Sequence, residues 1–164
     1  MSIHLIFAAS INNVIGSEGK IPWHIKEDLQ RFRDLTMGST VVMGRKTWDS
    51  IPESFKPLKY RKNIVLTKNK DLSIPGVLVY NDSDYILRNH KDEDIWVIGG
   101  EQLYKEWIDK ADYIYATRVL HEYDGDAYAP YIDPSIWKLV EWNDNETIYM
   151  SNGIRYIYQT FDRR

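Results

Sequence analysis

The sequence contains no cysteine, which excludes both a disulfide framework and a metal site built on thiolates. An excess of charge of one sign is also missing, because 21 lysines and arginines stand against 24 aspartates and glutamates. A general nucleic-acid binder depends on a basic face and a membrane-surface anchor on a polybasic segment, so neither class is expected. Long apolar runs are absent too, and the run Leu5 to Ala9 is too short for a secretory signal. We therefore expect a soluble, cytoplasmic protein without nucleic-acid or membrane partners.

The 164 residues suffice for a substantial core, and we expect one domain over 1–164. No internal repeat or linker divides the chain. Apolar runs alternate with amphipathic segments through the first part, and β-rich stretches follow, which together predict a mixed sheet flanked by helices. The predicted strands are 3–10, 40–44, 64–67, 77–80, 94–100, 113–120, 137–142 and 155–161, and the predicted helices are 25–36, 45–51, 84–89 and 101–108.

Asp28 is out of place on the first predicted helix. At about 100° per residue, its side chain falls between the directions of Phe32 and Leu35 on the apolar side. Glu27 points the opposite way, towards a polar face that also carries Arg31. A buried ion is costly unless something pairs with it. Asp28 is therefore either a half-exposed acid near a helix start, where the helix dipole favours negative charge, or the partner of a ligand.

Basic and hydroxyl residues follow two predicted strands, at the edge where open α/β sheets bind ligands. A glycine before a helix start leaves backbone N–H groups free, and nearby cations complete an anion site. A solvated basic patch is the alternative. The residues concerned are Gly44, Arg45, Lys46, Thr47, Thr67 and Lys68.

Another predicted strand ends in Gly99-Gly100, and a helix begins at Glu101. Paired glycines let the backbone approach a ligand closely, and the helix N-terminus then faces it. The pattern is not G-x-G-x-x-G, so it suggests a dinucleotide phosphate without the usual fingerprint. Glu101 is an unfavourable charge beside a phosphate. Earlier in the chain, the glycine-bearing segment Asn12 to Lys20 is either a mobile lid or a plain surface loop.

Five short motifs occur in one order along the chain. They are Ile-Pro-Trp at 21–23, Asp-Leu-x-x-Phe at 28–32, Met-Gly-Arg-Lys-Thr-Trp at 43–48, Arg-Lys-Asn at 61–63 and Val-Ile-Gly-Gly-x-x-x-Tyr at 97–104. The ordered set resembles the dihydrofolate reductase family, in its bacterial and phage type, and the spacing differs only around 52–57. The resemblance implies an α/β fold with an eight-stranded mixed, mostly parallel sheet, flanking helices and an antiparallel C-terminal hairpin.

The resemblance also implies a reaction, the NADPH-dependent reduction of dihydrofolate to tetrahydrofolate in support of one-carbon metabolism and thymidylate synthesis. A hydride would pass from nicotinamide C4 to pterin C6, with protonation at N5 and no metal ion. The implied protein is a monomer that antifolates inhibit. Asp28 would bind the pterin's 2-amino group and adjacent ring nitrogen, and Arg61 would bind the α-carboxylate of the glutamate tail. The implied catalytic residues are Ile21, Trp23, Asp28, Tyr104 and Thr117.

The other site residues follow from the same resemblance. The implied substrate-binding residues are Ile6, Ala8, Asp28, Leu29, Phe32, Ile51, Leu58, Arg61, Ile98 and Thr117. The implied cofactor-binding residues are Ala8, Ile15, Gly44, Arg45, Lys46, Thr47, Leu66, Thr67, Lys68, Gly99, Gly100, Glu101, Gln102, Leu103 and Tyr104. The cations among them favour the 2′-phosphate of NADPH over NADH. Gly125-Asp126 matches a loop that can hold the lid at 16–20 closed. The departures from the family pattern are Ile21, Glu101, Gln102 and Ala129.

Two other functions stay open at this point. A reductase of the riboflavin-biosynthesis type would share the sheet and the nicotinamide cofactor, but it should lack the combination of Asp28 and Arg61. A non-catalytic interaction module would use the 12 tyrosines and 6 tryptophans as a contact surface. Such a module has no reason to keep an acid on an apolar stripe. For the reductase we expect Asp28 without ligand to be under-satisfied, with Thr117 or water as its partner.

Overall fold

The computed structural model describes residues 2–140 and 146–164. Within these ranges, strands and helices alternate and then give way to strands, in the predicted order. The strands are β1 Ile3–Ser10, β2 Val14–Gly16, β3 Thr40–Gly44, β4 Lys62–Leu66, β5 Leu78–Tyr80, β6 Ile95–Gly99, β7 Tyr113–Val119, β8 Ala127–Tyr128, β9 Trp137–Leu139, β10 Tyr149–Ser151 and β11 Ile154–Arg163. The α-helices are α1 Lys26–Thr36, α2 Arg45–Ser50, α3 Ser83–Asn89 and α4 Glu101–Trp107, and short 3-10 helices span Glu53–Phe55 and Ile108–Lys110.

The main sheet has the strand order β10-β11-β7-β1-β6-β3-β4-β5. Neighbours from β7 to β5 run parallel, whereas β11 is antiparallel to β7 and to β10. The short strand β9 pairs with the last residues of β11, and β10 pairs with its first residues. Because β7 occupies the other edge of β11, β9 and β10 share the eighth position. The predicted eight-stranded mixed, mostly parallel sheet with an antiparallel C-terminal hairpin is confirmed.

The two faces of the sheet carry separate core clusters, because successive side chains of a strand point to opposite faces. Leu5 of β1 enters a cluster with Leu103 of α4. Its neighbour Ile6 faces the other way and joins a cluster that includes Phe32 of α1. The sheet therefore has an α1 side and an α4 side, and the predicted site residues divide between them.

A two-stranded ribbon, made of β2 and β8, departs from the prediction. Val14 lies opposite Tyr128 in this antiparallel pair, within a segment predicted as loop. Strands of two and three residues are too short for an alternation pattern to reveal. The predicted strand 137–142 ends at Leu139, and residues 141 and 142 lie outside the described residues. The last strand runs to Arg163, beyond its predicted end at 161.

The helices of the described ranges are short. The longest, α1, has 11 residues. None of the helices in these ranges is long and apolar enough to span a membrane. Over the same residues, no cluster of histidine and acidic side chains is arranged to hold a metal ion.

Candidate active site

Asp28 lies in the first turn of α1 and faces β7. Its Oδ1 accepts a hydrogen bond from Thr117 Oγ1 at 2.6 Å. Burial is the largest influence and raises the pKa of the Asp28 carboxyl, against the smaller opposing effects of the Thr117 hydrogen bond and the Arg31 charge. No side chain among residues 2–140 and 146–164 donates a hydrogen bond to Oδ2. Thr117 is therefore the partner of Asp28, which is one of the partners expected for this acid without ligand.

Arg31 does not lie on the solvated face of α1 where the helical pattern predicts it. Its guanidinium stacks 4.0 Å from the centroid of the Tyr158 ring and lies 5.8 Å from that of Tyr115. The prediction is wrong because aromatic faces attract the cation across the edge of the helix. Tyr158 stands opposite Thr117 in the β7–β11 pairing, so Arg31 borders the Asp28 site. Arg31 could have been predicted beside Asp28, because residues three apart are neighbours on a helix. Tyr158 could not, because its position depends on the register between β7 and β11.

Apolar side chains line a slot between α1 and the sheet. One cluster brings together residues from β1, α1, β6 and the connection before β4. Ala8 packs against a neighbouring cluster. Leu29 differs, because 50% of its surface is exposed and it does not pack into the core. The helical pattern puts Leu29 on the apolar side with Phe32, but the described core does not cover that side along its whole width. The implied substrate-wall residues that share the cluster are Ile6, Phe32, Ile51, Leu58 and Ile98.

Arg61 lies near the C-terminal end of α1. Its Nη1 donates to Thr36 Oγ1 at 3.1 Å, and its Nε donates to Lys59 O at 2.9 Å. Burial, followed by the charge of Arg33, lowers the pKa of Arg61. None of the described carboxylates forms an ion pair with it. The guanidinium is therefore held in one orientation with its charge available to an anion.

Glycines bring the backbones of β3 and β6 close to α2. A Cβ at Gly99 would lie 2.9 Å from Thr47 Oγ1, and a Cβ at Gly100 would lie 3.4 Å from the same oxygen. A Cβ at Gly44 would lie 3.8 Å from Gly99 O. Gly99 has φ 137°, a backbone conformation that favours glycine, and the Gly99-Gly100 peptide is cis. These residues form a floor without side chains beside a hydroxyl, which suits the close approach of a phosphate.

The predicted cations and hydroxyls converge where β3 and β4 end. These strands are parallel neighbours, so their carboxyl ends lie at the same edge of the sheet. Arg45 Nε pairs with Asp49 at 3.1 Å. Lys46 and Lys68 are exposed, and Thr67 is partly buried. Neither lysine pairs with an acid in the described ranges, so both are available to an anion.

The apolar residues implied for the cofactor lie on the α4 side of the sheet. Ile15, Leu66, Leu103 and Tyr104 all belong to or pack against the larger core cluster. The Tyr104 hydroxyl donates to Ile6 O at 2.7 Å, and burial raises its pKa far above the ordinary value. This hydrogen bond ties α4, which follows the glycine turn, to the backbone of strand β1.

Residues 16–20, predicted as either a lid or a surface loop, are tied to the loop before β8. Asp126 N donates to Gly16 O at 3.0 Å, and Glu18 N donates to Asp126 Oδ2 at 3.1 Å. The first is a backbone bond of the kind expected from Gly125-Asp126, and the second joins the backbone of Glu18 to the Asp126 carboxylate. After the lid, Trp23 is buried against Tyr123, with ring centroids 5.0 Å apart. Ile21 is 58% exposed, so a catalytic role for it stays a prediction.

The first residues of α4 explain one departure from the family pattern. Gln102 is exposed. Glu101 Oε1 accepts a hydrogen bond from the backbone N–H of Tyr128 at 2.6 Å. The charge that looked unfavourable beside a phosphate therefore has a partner within the protein, on a strand that the sequence did not reveal.

Known proteins resemble this chain over nearly its whole length. A family model described as dihydrofolate reductase matches residues 2–163. The chain belongs to the dihydrofolate reductase family. The dihydrofolate reductase of Mycobacterium leprae is 40% identical over 166 residues, which cover 98% of each chain. That of Bacillus subtilis is 41% identical over 163 residues, which cover 99% of this chain and 95% of the relative.

A solved structure extends the likeness to the fold. The dihydrofolate reductase from Enterococcus faecalis, complexed with NADP(H) and RAB-propyl, matches with a TM-score of 0.88 and 32% identity, covering 99% of this chain and 96% of that one. The family resemblance, the fold and the enzyme class, an NADP-dependent oxidoreductase, are confirmed. A riboflavin-type reductase and a non-catalytic module are not favoured. The roles of individual dihydrofolate reductase site residues in this chain stay predictions.

Proposed function

We propose that the slot between α1 and the sheet is where this chain reduces dihydrofolate to tetrahydrofolate with NADPH. The observation that carries the proposal is the spacing of two polar ends. Asp28 and Thr36, which holds Arg61, lie eight residues apart on α1, or about 12 Å at the helical rise. An acid and an arginine at this distance, with Phe32 between them, fit a long ligand with an amidine-like ring at one end and a carboxylate at the other.

At the ring end, Asp28 binds the pterin's 2-amino group and the adjacent ring nitrogen. Its two oxygens accept both N–H bonds, which compensates for the cost of burying the carboxylate. Thr117 fixes the position of Oδ1. Because burial raises the pKa of Asp28, the acid titrates closer to neutral pH than a surface aspartate, as suits a group that polarises a ring during protonation. Asp28 orients the pterin, and the proton that reaches N5 comes from solvent.

At the tail end, Arg61 binds the α-carboxylate of the glutamate. Its contacts to Thr36 and Lys59 hold the planar fork in place before the ligand arrives, so little order is lost on binding. The apolar cluster around Phe32 contacts the benzoyl ring between the two ends. Arg61 thereby makes the slot selective for folates over smaller pterins.

At the carboxyl ends of β3, β4 and β6, which lie at the same edge of the sheet, the residues fit NADPH. Gly99 and Thr47 form a floor that a phosphate can approach, and Lys46 and Lys68 lie at the strand ends to hold the 2′-phosphate. When bound, NADPH supplies the hydride that pterin C6 receives. The Tyr104 hydroxyl ties α4 to strand β1 through Ile6 O and so fixes the helix that follows the glycine turn. The protein contributes orientation and the exclusion of water, the latter through the lid at 16–20.

The remaining expectations belong to the same proposal. We propose a cytoplasmic monomer whose residues 1–164 act as one domain, without nucleic-acid or membrane partners. Antifolates with a planar amidine-like ring should occupy the pterin position, because Asp28 offers them the same pair of hydrogen-bond acceptors.

The direct test mixes the protein with NADPH and dihydrofolate and follows NADPH absorbance, which should fall only when both compounds are present. The tail site is tested with Arg61→Met, which removes a hydrogen-bonded charge worth about 1.5–3 kcal/mol. The KM for dihydrofolate should rise about 10- to 100-fold. Turnover of a dihydropterin that lacks the glutamate tail should not change. Arg33→Met, which removes a neighbouring charge, serves as the control. Equal losses with both substrates would remove Arg61 from the tail site.

A further inference from the structure

Glu101 opens α4 directly after the glycine turn at Gly99 and Gly100. An acid suits the first turn of a helix, but a free carboxylate there would repel the phosphates that the turn is proposed to hold. The structure gives the carboxylate another partner, since Oε1 accepts a hydrogen bond from Tyr128 N at 2.6 Å. Such a short bond is typical of charge-assisted pairs. The Glu101 side chain therefore serves a contact between the cofactor turn and strand β8.

Tyr128 belongs to the β2–β8 ribbon, and Val14 lies opposite it on β2. The ribbon is also tied at one end by two hydrogen bonds. Ala129 N donates to Asn13 O at 3.0 Å, and Asn13 Nδ2 donates to Ala129 O at 2.8 Å. Because β2 and β8 are joined in this way, a displacement of β8 moves β2 with it.

Strand β2 leads directly into the lid at 16–20. The bonds that close the lid run from Asp126 N to Gly16 O, at 3.0 Å, and from Glu18 N to Asp126 Oδ2, at 3.1 Å. Asp126 stands immediately before β8, two residues from Tyr128. A continuous series of hydrogen bonds therefore connects the cofactor turn, through Glu101 and β8, with the lid.

We propose that Glu101 is a positioning residue that fixes the β2–β8 ribbon to the cofactor turn, so that NADPH bound at the turn stabilises the closed lid. The inference rests on the proposed cofactor site. The contact needs an acceptor at position 101 and not a charge, because a glutamine presents the same oxygen to Tyr128 N–H while an alanine presents none. This requirement separates positioning from electrostatics.

Hydrogen exchange of the Glu18 and Asp126 amides, measured with and without saturating NADPH, reports the closed lid directly. In the wild type, NADPH should slow exchange at both amides. In Glu101→Ala the slowing should be lost, and the dissociation constant for NADPH should rise by up to about tenfold, the largest factor that one ordinary hydrogen bond contributes. Glu101→Gln should restore both. Glu122→Ala is the matched control, because Glu122 is an exposed carboxylate in the connection between β7 and β8 that forms no hydrogen bond to the described residues.

Each result decides the matter. If NADPH slows amide exchange in Glu101→Ala as much as in the wild type, the proposal is overturned. It is also overturned if Glu101→Gln behaves like Glu101→Ala, because the charge alone would then matter. A wild type that oxidises NADPH with dihydrofolate but shows no slowing would overturn the coupling and leave the function in place. A wild type that oxidises no NADPH would instead overturn the proposed function.

Discussion

Gly125 is the position where one added methyl group should open the lid. A Cβ there would lie 2.3 Å from Val14 Cγ1 and 2.6 Å from Gly16 O. Neither atom is free to move, since Val14 is fully buried and Gly16 O accepts the hydrogen bond from Asp126 N. Carbon atoms in contact normally stay about 3.5–4.0 Å apart. The ribbon and the loop must therefore separate by about 1 Å in Gly125→Ala.

The size of the effect follows from that displacement. A shift of about 1 Å would stretch the Asp126 N to Gly16 O bond from 3.0 Å to about 4 Å, beyond hydrogen-bonding range. Overpacking of this kind costs about 1–3 kcal/mol. If this cost destabilises only the closed conformation of the lid, the ratio of closed to open molecules falls about 5- to 150-fold. Because the lid excludes water from the reaction, the rate of hydride transfer should fall with it.

The assay is single-turnover hydride transfer with NADPH and dihydrofolate, compared with the free energy of unfolding from urea titration. Gly153→Ala is the control, because Gly153 has φ 79° but no heavy atom within 4 Å of its added Cβ. It should lose about 1–2 kcal/mol of stability through backbone strain and keep its hydride-transfer rate. Gly125→Ala with the wild-type rate would refute the reasoning.

Further predictions concern titrating groups. Arg31→Met should raise the pKa of Asp28 further and move the corresponding limb of the pH–rate profile to higher pH, whereas Arg88→Met, which removes an arginine beside a distant tyrosine, should not. For Glu93, burial favours a higher pKa, but hydrogen bonds led by that of Lys62 prevail and lower it to about 2. The resulting stability is present above about pH 5 and lost as the pH falls towards about 2. The shift corresponds to about 3 kcal/mol, which solvent screening reduces to about 1–2 kcal/mol. Urea unfolding of Glu93→Gln should therefore show a flatter acid limb.

Local periodicity was enough to predict much of the fold. The apolar run at Ile3–Ser10 and the amphipathic α1 lie where their patterns place them, because both patterns depend on neighbours within the same element. The β2–β8 ribbon was not predictable, because its pairing joins residues far apart in sequence. The hydrogen bond from Asn13 to Ala129 spans 116 positions, and no local pattern records it.

In the candidate site, too, some residues follow from local patterns and others depend on pairing between distant segments. Asp28 was visible as an acid on an apolar stripe, since only the helical period was needed to see it. The position of Arg31 against Tyr158 depends on the register between β7 and β11, which the sequence does not encode locally. Glu101 likewise looked unfavourable until β8 supplied its partner. The acid proposed to bind the pterin was therefore easier to predict than the contacts of Arg31 and Glu101.

Asp28 itself provides the most direct test of the account. Because burial raises its pKa, the folded protein favours the protonated acid, and the stability this confers is lost as the pH rises through the folded-state pKa. Asp28→Asn should therefore not lower the free energy of unfolding at neutral pH. The decisive measurement is single-turnover reduction of dihydrofolate by Asp28→Asn at neutral pH with saturating NADPH. We predict a rate about 10²- to 10⁴-fold below the wild type. Turnover at the wild-type rate would contradict the assignment of Asp28 to the pterin.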